Sequence, residues 1–186
     1  MVFRRFLGLD GDESSRPTTD QPRSPETATV RRIMAELAEL EPEKRRYLAG
    51  FAYLLSRAAH ADLAIDADEV ATMERIVRDI GGLPEAQAVL VVEIARNQSE
   101  LYGGTEDFLV TREFASRATP EQRRAVVESC FAVVAVDHEI TTDEYAELTQ
   151  IASELDLTRE ELNAIRREYS DHLGALQKMR RLTGGG

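Results

Sequence analysis

Residues Ala61–Glu69 read ADLAIDADE, and 75 positions later Val136–Glu144 read VDHEITTDE. The shift aligns Asp62 with Asp137, Ile65 with Ile140, Asp66 with Thr141, Asp68 with Asp143 and Glu69 with Glu144, and beyond them Met73 with Leu148 and Ile76 with Ile151. In each copy an apolar run gives way to acidic residues and then to apolar residues at helical spacing, which is a helix-turn-helix. Its duplication predicts two units of one design, related by a pseudo-twofold.

Most of the acidic residues in these turns have a structural task. Asp66 and Thr141 are good N-caps, and Glu69 and Glu144 stand three positions later, so each pair can form a capping box that satisfies orphan backbone N–H groups. Ile65 and Ile140 precede the caps, and Val70 and Tyr145 occupy the fourth helical positions, which gives each start a hydrophobic staple. Asp68 and Asp143 fall in the first turn, where the helix dipole stabilises negative charge by about 0.3–1 kcal/mol.

Asp62 and Asp137 are different. Each stands at the C-terminal end of the preceding helix, where the same dipole disfavours a carboxylate. Each also continues a buried face: Asp62 follows Phe51, Leu55 and Ala58, and Asp137 follows Val126, Cys130 and Val133 at the same intervals. A carboxylate turned inward needs a partner, because burying an unpaired charge costs several kcal/mol. One partner is the bare N-terminus of the next helix; the other is a cation held between the two repeats. The carboxylates available to such a cation are Asp62, Asp66, Asp68 and Glu69 from the first turn and Asp137, Asp143 and Glu144 from the second. An all-carboxylate shell selects a hard divalent ion, Ca²⁺ or Mg²⁺. The spacing is not that of an EF-hand, and His60 and His138 sit at non-equivalent positions, which removes them as zinc ligands.

Working outward, helix starts marked by caps and by Glu or Gln three positions on divide the chain from Ser24 onward. The spacing predicts helices over about Glu26–Glu41, Pro42–Asp62, Asp66–Ile80 (closed at Gly81-Gly82), from Pro84, from Thr105, from Thr119 to Val136 or Asp137, over Thr141–Leu155, and from Thr158 to Lys178 or beyond. No stretch alternates as a strand would. The expected class is all-α: a compact bundle of seven to eight helices with an internal pseudo-twofold repeat. Residues 26–180 form the expected domain, with 1–25 a disordered N-terminal segment and 181–186 a flexible tail. Asp10–Pro25 is polar and proline-bearing, with too little apolar surface to offset ordering entropy. Ahead of it Val2–Leu9 intersperses Phe3, Phe6, Leu7 and Leu9 with Arg4 and Arg5, and reads either as a frayed start or as a piece that docks on a protein partner or makes peripheral contact with a membrane.

The charge surplus of −11 disfavours nucleic acid and anionic lipid alike. No apolar run approaches the roughly 18 residues of a transmembrane segment, the start has no signal-peptide core, and a single cysteine forms no intrachain disulfide. These features make the cytoplasm the expected compartment. Cys130, on an apolar helix face, reads as a core residue, and no phosphate-binding loop or clustered histidines point to catalysis.

The turns resemble the TerB-like family of bacterial tellurite-resistance and stress-response proteins, whose helical units carry a signature close to A-D-G-x-I-D-x-x-E. The matching residues are Ala61, Asp62, Ile65, Asp66 and Glu69 in the first unit and Asp137, Ile140 and Glu144 in the second, within a likeness running from about Tyr47 to Tyr169. Leu63 and His138 replace the family's glycine, and Thr141 replaces the second aspartate, which keeps the cap and removes one ligand. The resemblance implies an all-α, non-enzymatic protein associated with acidic-cluster metal binding and with partner assembly near the membrane. Tellurite chemistry does not follow from it, since a fold does not fix a function. The expectation is therefore a non-enzymatic helical module that binds protein partners and carries an acidic inter-repeat site for a divalent cation. The alternative is a metal-dependent enzyme or metal-ion sensor in which an ion at the Asp62/Asp137 carboxylate cluster is the working part. The sequence leaves the oligomeric state open.

Overall fold

The structure, a computed structural model, describes residues 25–59, 67–97, 107–137 and 140–171. Among them are eight α-helices and no strand element: α1 Pro25–Ala38, α2 Pro42–Ala58, α3 Ala67–Asp79, α4 Glu85–Arg96, α5 Asp107–Arg117, α6 Pro120–Val134, α7 Thr142–Glu154 and α8 Arg159–Glu168, with a 3-10 turn Ala135–Asp137 after α6. The fold is all-α, as the spacing predicts. None of the described helices is long and apolar enough to cross a membrane.

Helix α2 is the axis of the bundle. It carries an unbroken buried run, Leu48 to Ser56, and packs on α4, α5, α6 and α7. A helix that is apolar all round has no solvent face to offer, which is why this one sits in the centre and not against it. Around it, α3 lies on α4 and α6, α7 on α6 and α5, α8 on α6, and α1 on α4. Thus α2 touches α7 while α6 touches α3, so the first helix of each sequence unit meets the second helix of the other.

The punctuation follows the sequence. Thr119, Thr141 and Thr158 each accept from the backbone N–H three residues on, and Gln122, Glu144 and Glu161 each accept from the cap's own N–H, giving three complete capping boxes. Gly82 takes φ +68° after α3, the left-handed conformation that glycine adopts without strain. Three boundaries differ from expectation. Helix α2 stops at Ala58, with Ala59 as its C-cap, and not at Asp62, so Asp62 stands four positions beyond the helix end. Helix α1 stops at Ala38 and not at Glu41, because Glu41 precedes Pro42 and is driven to an extended ψ of 142°. Helix α8 stops at Glu168, well short of Lys178, where Tyr169 at ψ 15° gives way to the turn-forming Ser170 and Asp171. The expected flexible segments 1–25 and 181–186 lie outside the described residues, apart from Pro25.

Candidate functional site

The second acidic turn is partly in view. Glu144 is half-buried and committed to its cap: its Oε2 accepts from the Thr141 N–H and from the Thr141 hydroxyl, both at 2.7 Å. Asp143 is exposed in the first turn of α7. Asp137 ends the 3-10 turn that follows α6, so its backbone stands at a helix C-terminal end, as the spacing requires. Ile140 is buried and Tyr145 packs on the core, consistent with the staple. In the first turn Glu69 is exposed on α3. Asp62 and Asp66 lie outside the described residues, as do the side chains of Asp68 and Asp137. Among the described residues no three His, Cys, Asp or Glu side chains gather as a metal site would need. His60, His138 and His172 also lie outside them.

Cys130 has a settled role. Its thiol is fully buried, donates to the Leu54 carbonyl at 3.7 Å, and burial pushes its pKa up to about 12. Such a sulfur is a core atom and not a nucleophile.

Two features were not legible as sites from the sequence. The first is a charge cluster where α2, α5 and α7 meet. The Arg57 side chain is only 7% exposed; it donates to Glu147 Oε1 at 2.7 Å, to Glu154 Oε2 at 2.7 Å and to Thr111 Oγ1 at 2.9 Å. Burial alone would raise the Glu154 carboxyl, but hydrogen bonds from Arg57 and Gln150 outweigh it and hold the pKa below the ordinary value. The cluster ties three helices together through one guanidinium.

The second is a groove of about 330 Å³ between the start of α2, the start of α4 and the length of α5. Its floor is aromatic and aliphatic. Tyr47 stacks on Phe114 with centroids 5.4 Å apart, beside Leu83 and Val110. Burial also pushes the Tyr47 phenol up to about 12. The groove exists because of Gly50: a Cβ there would lie 2.5 Å from Phe114 Cδ2, so only glycine lets the ring of α5 settle against α2. A glycine in the middle of a long apolar helix, where it costs about 1 kcal/mol, was the available signal for this close approach.

The rim of the groove is charged and mixed. Lys44, Arg46 and Arg117 stand with Glu43 and Glu113, so cations outnumber carboxylates in a chain whose net charge is −11. Arg117 bridges Glu43 at 2.9 Å and Glu113 at 2.5 Å, and Arg46 reaches Glu43 at 2.7 Å. Two buried polar atoms of groove-lining residues, Arg46 Nε and Gln87 Oε1, have no hydrogen-bond partner among the described residues. Each belongs to a side chain that is itself partly exposed.

No curated protein and no solved structure matches the chain. The family model described as Tellurite resistance protein TerB matches residues 48–167, from the centre of α2 to the last turn of α8, and so spans both acidic turns. The match covers more than half of the sequence and nearly the same stretch as the likeness carried by the two turns, and the chain belongs to the TerB family.

Proposed function

We propose that this TerB-family chain is a non-enzymatic module that binds a protein partner through the groove between α2, α4 and α5. The observation that carries the reading is the groove's composition: an apolar aromatic floor, a rim with surplus cations, and two buried polar atoms without a hydrogen-bond partner among the described residues. Buried polar groups are normally satisfied, so orphans gathered beside one concavity are what a ligand with both hydrogen-bond donors and acceptors relieves. A peptide main chain has both, and an apolar side chain beside acidic ones suits the floor and the rim. The inert, buried Cys130 supports binding over covalent catalysis. The family description names tellurite resistance, which supports our assigning the module to a bacterial tellurite-resistance or stress setting in the cytoplasm. The test is affinity capture with the full chain and with Gln87→Trp, whose ring would fill the groove. Partners held by the native chain and lost with the variant support the reading; identical captured sets, or none above a bead control, overturn it.

A divalent cation at the acidic turns is the second reading, favoured by the position of Asp137 at a helix C-terminal end, where a carboxylate gains from a cation. Because Glu144 is held by its cap, the ligands it calls on are Asp62 and Asp137, supported by Asp66, Asp68, Glu69 and Asp143. Titration calorimetry with Ca²⁺, Mg²⁺ and Mn²⁺, repeated on Asp62→Asn with Asp137→Asn, tests it; no heat and no change in melting temperature on adding metal would sink it.

A further inference from the structure

We infer that the groove is occupied by a segment of the chain itself, Phe6–Glu13, with its apolar half on the Tyr47–Phe114 floor and its acidic half on the Lys44/Arg46 rim. This rests on the groove being a peptide site and names the peptide. The segment reads FLGLDGDE: Phe6, Leu7 and Leu9 are followed at once by Asp10, Asp12 and Glu13. That order, apolar anchors and then carboxylates, is the complement of a groove whose floor is aromatic and whose rim has more cations than carboxylates. Its main-chain N–H and C=O groups are of the kinds, donor and acceptor, that Gln87 Oε1 and Arg46 Nε have none of among the described residues.

Geometry permits the return. Arg45 donates to the Ala38 carbonyl at 3.3 Å and to the Leu40 carbonyl at 3.0 Å, which holds the C-terminal end of α1 against the start of α2, beside the groove. Pro25 therefore lies one helix length away, roughly 21 Å for a helix of this size. The eleven residues Ser14–Ser24 span up to roughly 36 Å when extended, enough to bring Glu13 back to the rim. The segment and the α2 side of the rim, Glu43 to Tyr47, precede the stretch 48–167 that matches the family model, whereas Leu83, Gln87 and Phe114 lie within it, so the contact joins this chain's own N-terminal residues to a surface of the shared core. A partner peptide then has to displace the segment.

The experiment uses the full chain with photoreactive benzoylphenylalanine at position 6, irradiated alone and with vesicles of anionic phospholipid, and maps adducts by mass spectrometry in a mixture of light and isotope-labelled copies. Adducts within one copy to Tyr47, Leu83, Gln87 or Phe114 are expected. They should disappear when Asp10, Asp12 and Glu13 are all changed to Lys. Adducts elsewhere on the chain, adducts joining a light copy to a heavy one, adducts to lipid in place of the groove, or none at all would overturn the inference. Loss of partner capture on Gln87→Trp together with such misplaced adducts would leave the groove as a peptide site and remove only the chain's own segment as its occupant. Phe6→Ser offers a second readout that leaves the bundle intact: amide exchange at 44–50 should lose protection, and unchanged exchange would again count against it.

Discussion

At the scale of single residues, Gly50 and Arg57 matter more than their chemistry suggests. Replacing Gly50 by Ala adds about 1 kcal/mol of helix propensity but sets a methyl 2.5 Å from the Phe114 ring, itself held by Tyr47. Overpacking of this kind costs about 1–3 kcal/mol, so Gly50→Ala should lose about 1 kcal/mol net and lower the urea midpoint. Phe114→Leu, which frees the space, should make the same change neutral or stabilising, and an equal loss in both backgrounds would refute the contact. Arg57→Met removes the cation from Glu147 and Glu154. A fully buried pair broken this way loses about 3–5 kcal/mol; with the carboxylates partly exposed, about 2–3 kcal/mol is expected at neutral pH. The Glu154 carboxyl is depressed in the folded state, so its contribution is complete above the ordinary glutamate value of 4.5 and disappears as pH falls through the lower folded value. The difference in unfolding free energy between native chain and variant should therefore shrink on acidification below that point. A difference that stayed constant from pH 7 to pH 3 would contradict the pairing. Neither residue was legible as a site: a lone arginine at the end of an apolar helix reads as a solvated terminus, and its three acceptors lie on α5 and α7, far away in sequence.

At the scale of elements, signals complete within a few residues are legible in the sequence and tertiary ones are not. The three threonine caps were legible because a capping box is a relation between residues three apart, complete within the sequence. The central place of α2 was only half legible: the residues Phe51, Leu54, Leu55 and Ala58 mark one face, but Leu48, Ala49, Ala52 and Tyr53 are equally buried because four helices surround them. The acidic turns mixed both kinds of signal. The cap at Thr141 engages Glu144 through Oε2, while the fate of Asp62 and Asp137 depends on long-range placement that spacing alone does not give. Caps invite a direct test. Thr141→Ala and Thr158→Ala should each cost about 1 kcal/mol, and the coupling between Thr141→Ala and Glu144→Ala in a double-mutant cycle should be positive, since each side chain holds the other's backbone N–H. Strict additivity would mean that Glu144 serves something other than the cap.

At the scale of the whole molecule, stability should be layered from the axis outward. The amides of α2 from Phe51 to Leu55 are enclosed by α4, α5, α6 and α7, so no opening short of global unfolding exposes them. Helix α8 is the opposite case. It lies on α6 and buries Ile165 fully, with Leu162 and Tyr169 only partly packed. Phe131 faces Tyr169 at 5.7 Å, and Arg166 lies 5.3 Å from the Tyr145 ring. Burying one isoleucine is worth about 1.5–3 kcal/mol, and such aromatic and cation–π contacts add about 0.5–1.5 kcal/mol each. Releasing α8 therefore requires only a few kcal/mol, less than the 5–15 kcal/mol typical of a whole domain. Native-state hydrogen exchange in low urea should find α8 opening sub-globally, with a smaller urea dependence than α2 and an opening free energy lower by several kcal/mol. Tyr169→Ala should speed exchange in α8 while leaving α2 nearly unchanged. If α8 and α2 instead merge into one isotherm, α8 is part of the cooperative unit and not an outer layer added to it, and the packing of Phe131 against Tyr169 carries more energy than its geometry accounts for.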